Sequence, residues 1–243
     1  MLTNGKAPEL REVALVAKGR SGDTDMADIV LIGATGGIGS RLIPMLIRRG
    51  HSVTGLLRKD EQARELKDAG ATPAKGDLMK MSADDFSAII KGADAVVFSA
   101  GAAGSGAERT SMIDGQGPVK LIEAARATGV KRIYLVSVFP DAGRDRDLGE
   151  GFEHYMSEKK KADAALAASG LDYVIVRPGT LKSEDSDGQV AAGRALTYGD
   201  VARGNVAAFI AELIDTPEIR QDIFELTNGD TPVAEAVAAL RRN

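Results

Sequence analysis

The chain has 243 residues, 44% hydrophobic and 27% charged, the balance of an ordinary globular protein with the length of one large domain. A net charge of −4 offers no basic stripe for a nucleic acid, and the absence of cysteine excludes disulfides, thiolate catalysis and cysteine-ligated metals. Two histidines, His51 and His154, are too few for a histidine-rich metal site, so no metal is expected, and no apolar run approaches the roughly 18 residues of a membrane span.

Residues 1–25 are polar apart from a short apolar island at 13–17, and they lack the apolar core of a signal peptide. They read as a flexible N-terminal extension, with Met26 an alternative start, ahead of one domain over residues 26–243 in a cytoplasmic setting. Residues 29–32 are continuously aliphatic, the pattern of a strand buried on both faces of a parallel sheet. A helix is predicted from about 37 to 49, stopped by Gly50, with Pro44 expected to kink it because proline cannot donate to the Ser40 carbonyl. A strand at 53–57 and a helix at 61–68 follow, then a weak strand at 72–75 that Pro73 assigns to a sheet edge. Next come a helix at 83–91, a strand at 95–99, a helix at 117–128, a strand at 132–137, a helix at 152–169 and a strand at 173–177. A helix at 200–215, a last strand at 223–227 and a terminal helix led by Thr231-Pro232, with proline at its first position, complete the pattern. Such alternation means a doubly wound α/β fold, a mostly parallel sheet of about seven strands with helices on both faces. The irregular stretches 138–151 and 181–198 follow strand C-termini, where open α/β sheets bind ligands, and are the natural walls of a substrate pocket.

Between the first strand and first helix lies Gly33-Ala34-Thr35-Gly36-Gly37-Ile38-Gly39. Glycines there permit a sharp turn and a close backbone approach, and the helix N-terminus offers free N–H groups to a pyrophosphate. With the segments Gly76-Asp77-Leu78, LIEAARATGVKRIYLVS (121–137) and SGLDYVIVRPGTL (169–181), this loop resembles the short-chain dehydrogenase/reductase superfamily, and more closely its atypical NmrA-like NAD(P)H-binding branch, over about residues 27–240. The resemblance implies a Rossmann fold. It also implies that Asp77 and Leu78 flank the adenine, that Ser99, Ala100 and Gly101 line the ribose and nicotinamide side, and that Pro178 and Gly179 shape the nicotinamide pocket. The second strand ends Leu57-Arg58-Lys59, with the first acid, Asp60, two residues beyond Arg58; a guanidinium there suits the 2′-phosphate of NADP(H).

Tyr155 and Lys159 are four residues apart on a predicted helix and so share a face. A nearby ammonium favours the phenolate of a tyrosine, which can then shuttle a proton to or from a carbonyl while a nicotinamide moves hydride. By resemblance Lys159 also binds the nicotinamide ribose and Ser137 polarises the carbonyl. The leading reading is an NADPH-dependent oxidoreductase of a small carbonyl, quinone-like or flavin-like acceptor. A non-catalytic NADP(H) sensor and an epimerase or dehydratase with bound cofactor stand beside it. The expected partner is a small-molecule substrate, with neither nucleic acid nor membrane, and a homodimer is admissible.

Overall fold

A strand aliphatic at every position needs apolar cover on both faces, and the fold supplies it. The computed structural model describes residues 26–144 and 146–241, so the extension expected at 1–25 lies outside the described residues. In chain order the strands are β1 (Asp28–Ile32), β2 (Ser52–Leu57), β3 (Thr72–Lys75), β4 (Ala95–Phe98), β5 (Arg132–Val136), β6 (Asp172–Pro178), β7 (Thr180–Lys182), β8 (Gln189–Gly193), β9 (Asp200–Ala202) and β10 (Asp222–Pro232). The helices are α1 (Gly39–Arg48), α2 (Gln62–Asp68), α3 (Ala83–Ile90), α4 (Ala107–Arg109), α5 (Gly117–Thr128), α6 (Glu150–Ala167), α7 (Arg203–Ile214) and α8 (Val233–Ala239). The main sheet has 8 strands in the order β3-β2-β1-β4-β5-β6-β10-β8, with β3 at the edge where Pro73 places it. All of its pairings are parallel except that of β10 with β8.

Alternate strand residues feed two cores. Ile29, Leu31, Val97 and Val176 pack with Leu42 and Leu46 of α1, Phe209 and Ile210 of α7, and Val237 of α8. Val30, Ile32, Val96 and Ile175 face the other way, against Phe86 of α3, Leu121 and Ala125 of α5, and Leu166 of α6.

The structure departs from the sequence pattern in several places, among them residues 200–202, expected to open a helix, which form β9. Residues 189–193, expected to be irregular, pair as β8 with β10 across a bulge between Thr227 and Thr231, and β7 pairs with β9 in a separate 2-stranded sheet. Because β8 also pairs with Thr231 and Pro232, β10 stays extended past 227, and Pro232 becomes the N-cap of α8 rather than its first residue. The helix expected from 117 is preceded by a π-helical turn, Thr110–Gln116, beginning directly after α4. Helix α1 runs through Pro44 without interruption.

His51 joins three element ends. Its side chain is 2% exposed; Nδ1 accepts from the Ala27 N–H at 3.2 Å, so the proton sits on Nε2 and is donated to Asp215 at 2.8 Å. Asp215, which caps α7, also pairs with Arg49, and Arg49 pairs with Glu212 at 2.8 Å. Replacing His51 with leucine strands a buried N–H and half-unpairs a carboxylate, each costing about 1–3 kcal/mol. The variant His51→Leu is expected to lose about 2–4 kcal/mol of stability, read as a lower urea midpoint at unchanged slope.

Candidate active site

The parallel strands of this sheet all end on one side, and the connection reverses direction between β1 and β4, the usual position of a ligand crevice. A cleft of about 800 Å³ opens there. Its lining includes Gly33, Thr35, Gly36, Gly37 and Ile38 after β1, Arg58 after β2, Asp77 and Leu78 after β3, Ser99, Ala100 and Gly101 after β4, and Ser137 after β5. Tyr155 and Lys159 of α6 line the same cleft. Gly39, Pro178 and Gly179 are not in its lining. Gly39 lies beneath the loop, and a Cβ on Gly179 would fall 1.9 Å from the Gly199 carbonyl, so Gly179 joins β6 to the segment entering β9.

The loop after β1 turns with Gly33 at φ +92°, where a Cβ would also lie 2.6 Å from the Ala100 nitrogen. At Gly39 a Cβ would fall 2.2 Å from the Gly33 carbonyl oxygen, which fixes how closely α1 meets β1. The Gly36 N–H donates to the Gly33 carbonyl at 3.0 Å, whereas the N–H groups of Gly37 and Ile38 have no acceptor among the described residues. The result is a cradle cleared of side chains, with free amides at the N-terminus of a helix, and it fits a dinucleotide pyrophosphate.

Arg58 is exposed at the rim of the cleft, with no ion-pair partner among the described residues. The Arg58 and Lys59 N–H groups donate to Gln62 Oε1 at 3.2 and 3.0 Å, and Gln62 Nε2 donates to Thr35 Oγ1 at 2.9 Å. Gln62 thereby ties the basic turn to the glycine loop. The Ser99 hydroxyl is used within the fold, donating to the Ile32 carbonyl at 3.2 Å.

At the opposite end Lys159 is 4% exposed and Asp114, on the π-helical turn, is wholly buried. Lys159 Nζ lies 3.2 Å from Asp114 Oδ1 and donates to the Val136 carbonyl at 3.1 Å. The Asp114 contact is Coulombic rather than directional, since Oδ1 has no aligned donor; Oδ2 accepts from the Ala102 N–H at 2.9 Å. Lys159 Nζ is 5.9 Å from the centre of the Tyr155 ring, and Phe152 is 6.1 Å away centroid to centroid. Burial, together with the negative charges of Asp114 and Asp163, pushes the Tyr155 phenol well above the usual tyrosine range. The sequence led to a phenolate favoured by Lys159. In the structure the ammonium is matched by Asp114, and the surroundings of Tyr155 shift its phenol in the opposite direction, upward. Ser137 Oγ is buried beside the Asp163 carboxyl without an aligned hydrogen bond. Burial raises the Asp163 pKa while its pairing with Arg177 at 2.9 Å opposes the rise.

Sequence reasoning missed Asp114, Gln62, Arg109 and Arg203, all lining the cleft. A buried lysine demands a carboxylate, but nothing local marks Asp114 as that partner. Arg203 had a faint signal as the one charge in the otherwise uncharged run 201–211. Among the described residues no group of three or more His, Asp or Glu is placed to hold a metal ion, and no helix is long and apolar enough to cross a membrane.

Comparison with known proteins agrees with this geometry. Residues 33–217 match the NAD(P)H-binding family. The chain is 39% identical over 214 residues to the uncharacterized sugar epimerase YhfK of Bacillus subtilis, covering 87% of this chain and 99% of that one. A Bacillus halodurans structure provisionally assigned as an NAD-dependent epimerase/dehydratase superposes with TM-score 0.80 at 36% identity, over 88% of this chain and all (100%) of that one. The anaerobillin reductase ChuY of Escherichia coli O157:H7 superposes with TM-score 0.70 at 27% identity, over 84% and 98%. These neighbours accord with the resemblance to the atypical short-chain dehydrogenase/reductase branch.

The cradle itself is testable through Gly39. Overpacking of this kind costs about 1–3 kcal/mol. Gly39→Ala is expected to lower the melting temperature and abolish nucleotide binding by calorimetry, since its methyl would displace the Gly33 carbonyl.

Proposed function

The chain belongs to the NAD(P)H-binding family, and from that premise we propose that it is an NADPH-dependent reductase of a small carbonyl, quinone-like or flavin-like acceptor. The observation that carries the reading is the placement of the Tyr155 phenol and the Lys159 ammonium on one face of α6, in the same cleft as the glycine cradle. When held at the glycine cradle, NADPH would supply the hydride. Tyr155 gives the acceptor oxygen its proton and recovers one from water. A protonated phenol is the form that this direction requires, and the upward shift is consistent with that form. Lys159, matched by Asp114, would meet the hydroxyls of the nicotinamide ribose. Ser137 lies on the cleft wall beside the Asp163 carboxyl, from which its hydroxyl would turn to a bound carbonyl. Arg58, without an ion-pair partner among the described residues, is the group that would meet a 2′-phosphate and so select NADP(H) over NAD(H). ChuY is named a reductase and YhfK a sugar epimerase, so the fold hosts both names; an epimerase returns its cofactor unchanged, whereas a reductase consumes NADPH stoichiometrically.

Loss of a general acid typically costs 10²–10⁴-fold. Tyr155→Phe should therefore slow NADPH-dependent reduction of a carbonyl acceptor by about 100-fold or more while leaving NADPH affinity within twofold. Unchanged turnover would remove the proton-transfer role. Because a raised phenol pKa keeps the donor form populated, kcat/KM for a carbonyl acceptor should stay flat between about pH 6 and 9. A falling limb in that window that disappears in Tyr155→Phe would contradict the assignment. Arg58→Ala should weaken NADPH about 10- to 100-fold and NADH little, measured by fluorescence titration.

A further inference from the structure

Arg203 stands at the first position of α7, far in sequence from the glycine loop, yet its side chain lies against that loop. A Cβ added to Gly37 would come 2.6 Å from Arg203 Cδ and 3.0 Å from Nε, so the residue at 37 must be bare for the guanidinium to lie where it does. Nη1 donates to Ser183 Oγ at 3.2 Å and to the Leu181 carbonyl at 3.4 Å, which hold the side chain over the cleft it lines. No carboxylate pairs with Arg203 among the described residues. Arg41 completes a cationic corner, donating to the Gly37 carbonyl at 2.8 Å, to the Ser183 carbonyl at 2.6 Å and to Asp185 at 2.8 Å.

This placement is unfavourable by itself. A guanidinium packed at the positive end of a helix, beside the free amides of Gly37 and Ile38, is repelled by the dipole. An anion lodged between them is attracted to both and outweighs that repulsion: it accepts from the amides, and the guanidinium supplies further donors in a fixed fork. We propose that Arg203 is a ligand of the cofactor pyrophosphate, delivered from the C-terminal part of the chain to the glycine loop. The inference rests on a nicotinamide dinucleotide occupying that loop. Arg58 and Arg203 then divide the work, one reading the 2′-phosphate at the end of β2 and the other gripping the diphosphate at α1. Because Arg203 is anchored on Leu181 and Ser183, binding also ties the segment following β6 to the cofactor.

Three probes separate the phosphates: ADP carries the diphosphate without a 2′-phosphate, adenosine 2′-monophosphate carries only the latter, and NADPH carries both. Dissociation constants by calorimetry are expected to rise about 10- to 100-fold for ADP and NADPH in Arg203→Ala, with adenosine 2′-monophosphate unchanged. Arg58→Ala should show the converse for adenosine 2′-monophosphate and ADP. Arg203→Met keeps the aliphatic stem over Gly37 and serves where the alanine variant is unstable; it should show the same loss, and Arg203→Lys a partial recovery. Unchanged ADP and NADPH affinity in Arg203→Met overturns the proposal, as does equal weakening of all three probes, which would mark a structural role. Failure of the unaltered protein to bind any of the three would instead overturn the nucleotide reading on which the proposal stands.

Discussion

An ammonium taken out of water costs several kcal/mol unless it is matched by charge and hydrogen bonds. Lys159 is such a group, and the architecture of the cleft follows from satisfying it. Its carboxylate comes from Asp114 on the π-helical turn, and its hydrogen-bond acceptor is the last carbonyl of β5. Asp114 in turn holds the Ala102 N–H, fixing the loop after β4. One buried cation thereby sets the spacing of α6, β5, the turn before α5 and the loop facing the glycine cradle. The close approach that this needs is made by small residues: a Cβ at Gly115 would lie 2.0 Å from Glu158 Oε2.

Around Tyr155, burial first and then the carboxylates of Asp114 and Asp163 push the phenol pKa upward. A free ammonium 5.9 Å from the ring would draw the phenol toward ionisation, but a neutralised one cannot offset burial and two nearby carboxylates. The cleft is therefore polarised along its length. Its glycine end gathers Arg58, Arg203 and the positive end of α1, groups suited to phosphate. Its α6 end presents a neutral acid above a compensated ion pair. The chain's overall negative charge of −4 conceals this local arrangement.

Much of this was legible from the chain in order. The glycine turn, the basic end of β2 and the Tyr155–Lys159 face are each written in a few consecutive residues, so their geometry follows from local backbone rules. The edge position of β3 followed from a single proline. What escaped is what depends on contacts between distant segments. Asp114 is identified as a counter-ion only once α6 is laid against the turn before α5, and Arg203 as a neighbour of Gly37 only once α7 is packed on α1. Residues 189–193 read as loop because β8 owes its existence to pairing with β10, and the same pairing moved Pro232 from helix to strand. The balance of charge around Tyr155 depends in the same way on distant contacts, since Lys159 and Asp163 share its helix but Asp114 comes from the turn before α5.

The side walls bear on which acceptor suits the cleft. Phe152 and Tyr155, which line it, pack against a small apolar cluster of Phe139, Ala142 and Met156. That cluster joins the segment after β5 to Leu196 and Tyr198, with Phe139 edge-on to Tyr198 at 5.4 Å. Tyr198 is in turn hydrogen-bonded to Thr180 at 2.6 Å, leaving its hydroxyl engaged. A hydrated sugar needs many donors and acceptors around its ring, and unmet ones cost about 1–3 kcal/mol each. The rings of Phe152 and Tyr155 instead offer flat apolar area with little rotamer entropy to lose. Within a fold whose relatives carry both reductase and epimerase names, these two rings are the feature of the cleft wall that supports the proposed reductase reading.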